Sequence, residues 1–431
     1  MSGGRESPAP GSGPLAIGRL GHLGDGIAPG PEGPIFVPRA LPGEVVDGAR
    51  EGARLPRPRI LSPSPQRVRA PCPHYSACGG CALQHASDGF VAEWKRDVVA
   101  QALAARGLAA ELRPAHTSPA RSRRRARFAV KRTKGGALVG FHGPGSAAIV
   151  DAPECHLVHP DLAAARPALA ALAEAGAARK GALAVTVTRL DNGLDVAVTG
   201  GKALSAPLRA RLAGLCAPHR IVRLTWDGEP VAQAERPRLS FAGIAVCPPP
   251  GAFLQATEDG EAALRAAVTE AVGPARRIAD LFAGCGTFAL PLAARAEMHA
   301  VEGDAALTGA LEQGWREAAG LRRLTAETRD LFRRPLEPGE LSRFDAVVID
   351  PPRAGAEAQT ARLAASGVPR IAALSCNPVT FARDAATLVA AGYRLHWVQI
   401  VDQFRWSPHV ELAALFARDH IAPGRRKGRA T

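Results

Sequence analysis

The sequence predicts an α/β protein: a doubly wound parallel sheet in its C-terminal part, preceded by a small β-barrel and an α+β central segment. Three observations carry this. After Gly251, the short apolar runs RRIADLF, EMHAVEG, RFDAVVID, RIAALSC and YRLHWVQIVD alternate with helical stretches, as in a sheet covered on both faces. Between residues 14 and 67, β-prone runs are broken by Gly and Pro every 8–12 residues or so, with no helical period. The chain has 431 residues, enough for two to three domains at about 100–200 residues each.

Composition narrows the function. Hydrophobic residues make up 46% and charged residues 22%, so a core can form and wholesale disorder is excluded. Lys and Arg number 54 against 40 for Asp and Glu, a formal net charge of +14. That balance points to nucleic acid, with anionic membrane as the lesser alternative. No run of about 18 apolar residues exists, so no membrane span is expected. The opening MSGGRESPAPGSGP lacks the apolar core of a secretory signal, which makes the cytosol the expected compartment.

Taken in order, residues 1–13 are rich in Gly, Pro and Ser and are predicted to be disordered. The barrel covers 14–67, and the central segment, with its cysteines, covers 68–250. Within it, an amphipathic helix is expected from Ser87 to Gly107, with Phe90, Val91, Trp94, Val98 and Leu103 near one face. Eight basic residues follow between Arg121 and Lys134. Beyond Arg125 they alternate with Ala126, Phe128 and Val130, as in a strand with one basic face. Phosphate contact is the expected role of that run, with Arg123, Arg124 and Arg125 contributing. Helices are expected over 161–180 and 204–216. Asp191-Asn192-Gly193 between two β-prone runs predicts a hairpin. The doubly wound domain covers 251–419, and 420–431 is a basic tail. No internal repeat is present.

Of the eight cysteines, Cys72, Cys78 and Cys81 fall within ten residues, and Cys155 sits in the polar stretch DAPECHLVHP. In a reducing compartment such clustering points to metal or chemistry before disulfides. Four thiolates suit either tetrahedral zinc or an iron–sulfur cluster. Zinc ribbons usually offer two C-x-x-C knuckles, and this chain offers one. Cys216, Cys247 and Cys285 have no partner pattern and are expected to pack as small apolar groups.

The C-terminal part carries the chemistry. IADLFAGCGTFALPLA sets a loop with Gly284 and Gly286 between a strand and a helix. About twenty residues on, Glu302 ends the next strand, where an acid can accept both ribose hydroxyls. The third glycine of a pyrophosphate loop is missing. Asp350-Pro351-Pro352-Arg353 and, one strand later, Cys376-Asn377-Pro378 stand at strand carboxyl ends, where open α/β sheets bind ligands. A Cys on such a turn is exposed and gains thiolate character from the helix that follows. Glu411, two residues after His409, enters an apolar strand and suits a general base.

This set resembles the RNA uracil-carbon-5 methyltransferases, which make 5-methyluridine in ribosomal or transfer RNA. The likeness spans nearly the whole chain. DPPR, SCNP and the late H-x-E segment carry it most specifically. It implies a Rossmann-like class I methyltransferase domain using S-adenosyl-L-methionine, and an N-terminal OB-like TRAM barrel that binds RNA. By position it implies cofactor contacts at Gln255, Phe282, Thr287, Glu302 and Asp350. Phe253 lies where an aromatic ring can approach the target base, Cys376 matches the nucleophile and Glu411 the base. The C-x5-C-G-G-C spacing with a distant Cys155 is similar to the [4Fe–4S] site of some members, with zinc as the alternative.

The resemblance to members with a TRAM-like region and iron–sulfur pattern favours ribosomal over transfer RNA. Cytosine-carbon-5 enzymes usually carry a further Cys in the proline motif, and amino-group enzymes an aromatic where Arg353 stands. A non-catalytic RNA-binding or assembly factor is the competing class. An iron–sulfur redox enzyme is a third, without a flavin or nicotinamide fingerprint to support it. A monomer is expected.

Overall fold

A computed structural model describes residues 13–418; the expectations for residues 1–12 and for the basic tail at 420–431 lie outside the described residues. In the N-terminal region, two three-stranded sheets enclose a small core. One joins Leu15–Ala16, Val45–Asp47 and Arg59–Ser62, and the other joins Arg19–Leu20, Gly26–Gly30 and Gly33–Val37. Leu15, Ile17, Ala28, Ile35, Val37, Val46 and Leu55 are buried between them.

The central seven-stranded sheet runs in the order Ile149–Asp151, Gly136–His142, Arg125–Thr133, Leu183–Leu190, Gly193–Thr199, Ile221–Trp226, Glu229–Gln233. The expected hairpin is present, with Leu190 paired to Gly193 across Asp191 and Asn192. Helix Arg166–Gly176 buries Leu169 and Leu172 on this sheet. The Trp226 ring lies so close to Gly176 and Gly201 that a Cβ at either would sit 2.4 or 2.2 Å from it.

The C-terminal sheet runs Leu324–Thr328, Glu297–Glu302, Arg277–Leu281, Ala346–Ile349, Arg370–Ser375, Leu412–Ala417, Arg394–Asp402, Glu111–Leu112. Its side chains alternate between two cores. Ile278, Met298, Val348 and Leu374 face helices Glu258–Val272 and Ala305–Glu317, while Leu281, Val301, Val347 and Ile371 face helices Glu357–Ser366 and Pro378–Ala390. The sheet is therefore doubly covered, as predicted, but it is not wholly parallel. Leu412–Ala417 runs antiparallel to both neighbours. The stretch 403–411 before it is too short for the crossover of a dozen or so residues that a parallel return requires.

A second departure concerns the boundary at 250. Helix Asp88–Ala104, capped by Ser87, buries Val99 and Leu103 in a core of the C-terminal sheet. Glu111–Leu112 and His116–Thr117 pair with strand Arg394–Asp402 of the same sheet. Packing thus sets residues 88–117 against the C-terminal sheet, while Val91 and Trp94 of the same helix are buried with Leu20, Leu41 and Leu83 from the segments before it. Lys95 and Asp402, both essentially unexposed, form a 2.5 Å ion pair that fastens this helix to the strand end. No helix of the described residues is long and apolar enough to cross a membrane.

Candidate active site

The strands end at one edge, and the predicted side chains gather there. Asp350 follows Ala346–Ile349 directly, and Cys376 follows Arg370–Ser375. Asn377 caps helix Pro378–Ala390 by accepting from Val379 N. Its Nδ2 donates to the Arg353 carbonyl at 3.1 Å, tying the two motif loops together. Glu411, just before Leu412–Ala417, is 3% exposed.

A buried hydrogen-bond network joins these elements. Gln255 Nε2 donates to Asp350 Oδ2 at 3.3 Å. Gln403 Nε2 donates to Gln255 Oε1 at 2.6 Å and to Glu411 Oε2 at 3.2 Å. The Gln255 carbonyl accepts from Arg124 Nε at 3.0 Å, and Arg124 also pairs with Glu261. Arg124 is 1% exposed, which corrects the expectation that it contacts phosphate. The strand begins only at Arg125, so the alternation that exposes Arg127 and Lys131 does not govern Arg124. Its backbone N–H donates to Ala256 O instead, and its side chain turns inward.

Burial sets the electrostatics. It raises the Asp350 carboxyl to about 7. Burial, with the Asp350 charge added, holds Glu411 well above the usual carboxylate range, while the Gln403 hydrogen bond pulls it back. Cys376 is pushed up to about 11 by burial and then by the charges of Glu411 and Asp350. Burial, and then the Asp350 charge, raise the fully buried Asp280 carboxyl well above the usual carboxylate range, and neither of its oxygens has a hydrogen-bond partner among the described residues.

The glycine loop stands beside this group. Gly284 and Gly286 adopt φ of +57° and +101°, left-handed values that favour glycine. Glu302 accepts from Gly284 N at 2.9 Å, Gly303 N at 2.7 Å and Asp304 N at 3.1 Å, so it holds the loop as well as closing its strand. Phe282, at φ +62°, packs against Phe332 with ring centroids 5.4 Å apart. Thr287 is half-buried in the same loop.

A cavity of about 730 Å³ opens in front of Cys376. Cys376, Arg353, His409 and Phe253 line it on one side, and Phe253 is 65% exposed. Arg123, Arg125 and Arg127 also line it, as do all four candidate ligand cysteines, Cys72, Cys78, Cys81 and Cys155. Gly80 N donates to Cys78 Sγ at 3.4 Å. A Cβ on Gly79 would meet the His142 carbonyl at 2.9 Å, so the cysteine loop needs glycine there. Burial and the neighbouring cysteines push Cys81 up to about 12. Even so, among the described residues no group of three or more His, Cys, Asp or Glu is arranged to hold a metal ion. The metal expectation thus rests on side-chain type and a shared cavity.

Sequence reading missed Gln403, Asp280 and the Lys95–Asp402 pair. One signal for Gln403 was present: it follows the carboxyl end of a sheet strand, the edge where ligands bind.

Comparison with known proteins gives a consistent picture. Residues 261–419 match the family described as tRNA (Uracil-5-)-methyltransferase. The chain is 43% identical to an uncharacterized RNA methyltransferase of Brucella suis, covering 94% of this chain and 98% of that one. It is 34% identical to the 23S rRNA (uracil(1939)-C(5))-methyltransferase of Alkalilimnicola ehrlichii, covering 94% and 96%. In structure it resembles the Pyrococcus abyssi tRNA (uracil-54, C5)-methyltransferase in complex with S-adenosyl-L-homocysteine. The TM-score is 0.74 at 23% identity, over 94% of this chain and 99% of that one, a likeness of fold.

The electrostatics make a direct prediction. Asp350→Asn removes a negative charge that raises the Cys376 thiol, so alkylation of Cys376 should become half-maximal at a lower pH than in the wild type. Peptide mapping after iodoacetamide treatment across a pH series checks this; an unmoved midpoint contradicts it.

Proposed function

The chain belongs to the RNA (uracil-5-)-methyltransferase family, and we propose that it methylates carbon 5 of a uridine in 23S ribosomal RNA through a covalent adduct to Cys376. One observation carries the reading: Cys376 stands within the electrostatic reach of Glu411 and Asp350, at the wall of a cavity lined by arginines and an exposed phenylalanine. The 23S-directed relative and the cysteine set favour ribosomal over transfer RNA.

The residues fit a sulfonium cofactor. Gln255, Phe282, Thr287, Glu302 and Asp350 are its proposed contacts, around a loop whose Gly284 leaves open space where a Cβ would project. S-adenosyl-L-methionine supplies the methyl group and brings a positive charge. Beside that charge, the field of Asp350 and Glu411 that holds the Cys376 thiol up is offset. The target base, unstacked from its RNA, enters past Phe253, with Arg123, Arg125 and Arg127 toward phosphate. Uracil carbon 5 is too weak a nucleophile to take a methyl group unaided. Cys376 thiolate adds to carbon 6, and carbon 5 of the enolate so formed would take the methyl group as the methyl–sulfur bond of the sulfonium breaks and S-adenosyl-L-homocysteine leaves. Glu411 then takes the carbon-5 proton, and the Cys376–carbon-6 bond breaks to release the thiolate. Positioning of the base against the methyl group supplies the remainder of the acceleration.

We also propose that Cys72, Cys78, Cys81 and Cys155 hold a [4Fe–4S] cluster with a structural or RNA-facing role. Zinc ribbons usually offer two C-x-x-C knuckles and this chain offers one, so the C-x5-C-G-G-C spacing with a distant Cys155 supports the four-iron cluster. Its positive iron would let buried, mutually repelling thiols ionise together.

Incubation with methyl-labelled cofactor and unmodified ribosomal or transfer RNA, followed by digestion to nucleosides, tests the activity. Labelled 5-methyluridine from the ribosomal pool, lost in Cys376→Ala, is expected; another labelled nucleoside, or label into transfer RNA alone, overturns the assignment. Anaerobically purified protein should carry about four iron atoms, lost on Cys81→Ser. An iron-free preparation that binds zinc instead would overturn the cluster.

A further inference from the structure

We propose that Gln403 is the positioning residue of this site: its side-chain amide fixes the orientation of both Glu411 and Gln255, and so links the base to the cofactor wall through one relay. The inference rests on the reading of Glu411 as the base and deepens it.

Gln403 is 1% exposed and is the first residue beyond strand Arg394–Asp402. Its Oε1 accepts from Ala256 N at 2.6 Å. A backbone N–H can only donate, so this contact fixes which end of the amide is oxygen. Nε2 then has two hydrogens and two acceptors, Gln255 Oε1 at 2.6 Å and Glu411 Oε2 at 3.2 Å. With Gln255 Oε1 engaged, Gln255 must turn its own Nε2 outward, and that atom lies 3.3 Å from Asp350 Oδ2. Reversing either amide would set oxygen against oxygen. The relay therefore has one arrangement, and it delivers an N–H to each of two carboxylates, the buried Glu411 and the half-buried Asp350.

This has a chemical consequence. Glu411 is faced by the Asp350 carboxylate, by the Cys376 thiol and by Gln403. The neighbouring charged groups are Asp280, whose carboxyl burial and the Asp350 charge raise, and Glu261, which is paired with Arg124. Gln403 is the group of this set that makes a side-chain hydrogen bond to Glu411, and donation to a carboxylate favours its charged form. By occupying Oε2, it leaves Oε1 of Glu411 for the substrate proton.

Single-turnover rates across a pH series test this, with the covalent RNA–protein adduct followed on denaturing gels. Gln403→Met keeps the volume and removes the donors. Its acid limb should move about one pH unit upward, roughly a tenfold loss at low pH, with wild-type rates regained at high pH. Methylated adduct should accumulate at low pH and clear at high pH. Gln403→Glu keeps the acceptor for Ala256 N and adds a third acid, so its limb should move further in the same direction. Melting curves serve as the folding control. An unmoved profile in both variants, or a loss equal at every pH, overturns the relay. Glu411→Gln separates the two claims. Persistent methylated adduct in that variant with unmoved Gln403 profiles sinks the relay alone, whereas normal turnover by Glu411→Gln sinks the base assignment beneath it.

Discussion

Two carboxylates at the carboxyl edge of a sheet, the half-buried Asp350 and the buried Glu411, are the constraint around which the site is arranged. Burial raises the proton affinity of both, the Asp350 charge raises that of Glu411 further, and the two charges add to burial in raising that of Cys376. Placing like charges in a dry interior is costly unless a cation or hydrogen-bond donors offset them. This arrangement makes chemical sense when a positive ligand is to be held there. The proposed sulfonium cofactor meets that requirement. The neutral amides of Gln255 and Gln403 supply donors without adding a charge that would compete with the ligand.

Holding such a network requires a rigid frame. Glu411 and Gln403 sit at opposite ends of the 403–411 loop, and that loop is anchored outside the site. The Lys95–Asp402 pair fixes its start from helix Asp88–Ala104. Trp406, at φ +60° and 5% exposed, accepts through its carbonyl from Ala82 N at 2.8 Å and Leu83 N at 3.0 Å. A bulky residue in the left-handed region persists only where its surroundings over-determine it. Those donors directly follow Cys81, so the cysteine loop and the loop bearing the base share backbone contacts. Packing of residues 88–117 onto the C-terminal sheet is what brings the two together.

Much of this was legible in the sequence. Most strands of the C-terminal sheet announced themselves as short apolar runs, and Asp350 and Cys376 could be placed because each directly follows one. The antiparallel strand Leu412–Ala417 was not legible as such, since strand direction depends on the length of the return and not on its own residues. Helix Asp88–Ala104 was predicted, yet its partner lay some 300 residues away in sequence, as the contact between Lys95 and Asp402 shows. Arg124 was misread because a run of arginines looks uniform, whereas two backbone hydrogen bonds decide which of them turns inward. Gln403 escaped notice because a lone amide carries no charge pattern or spacing; its importance lies in where the fold delivers it.

The most direct test of the central claim uses RNA in which the target uridine carries fluorine at carbon 5. Fluorine cannot be removed as a proton, so Glu411 has nothing to abstract and the adduct cannot resolve. With cofactor present, the account expects a stable RNA–protein complex that carries one transferred methyl group and whose peptide map places the bond on Cys376. Methyl transfer to the fluorinated RNA without a covalent complex, or a bond to any other residue, would contradict it.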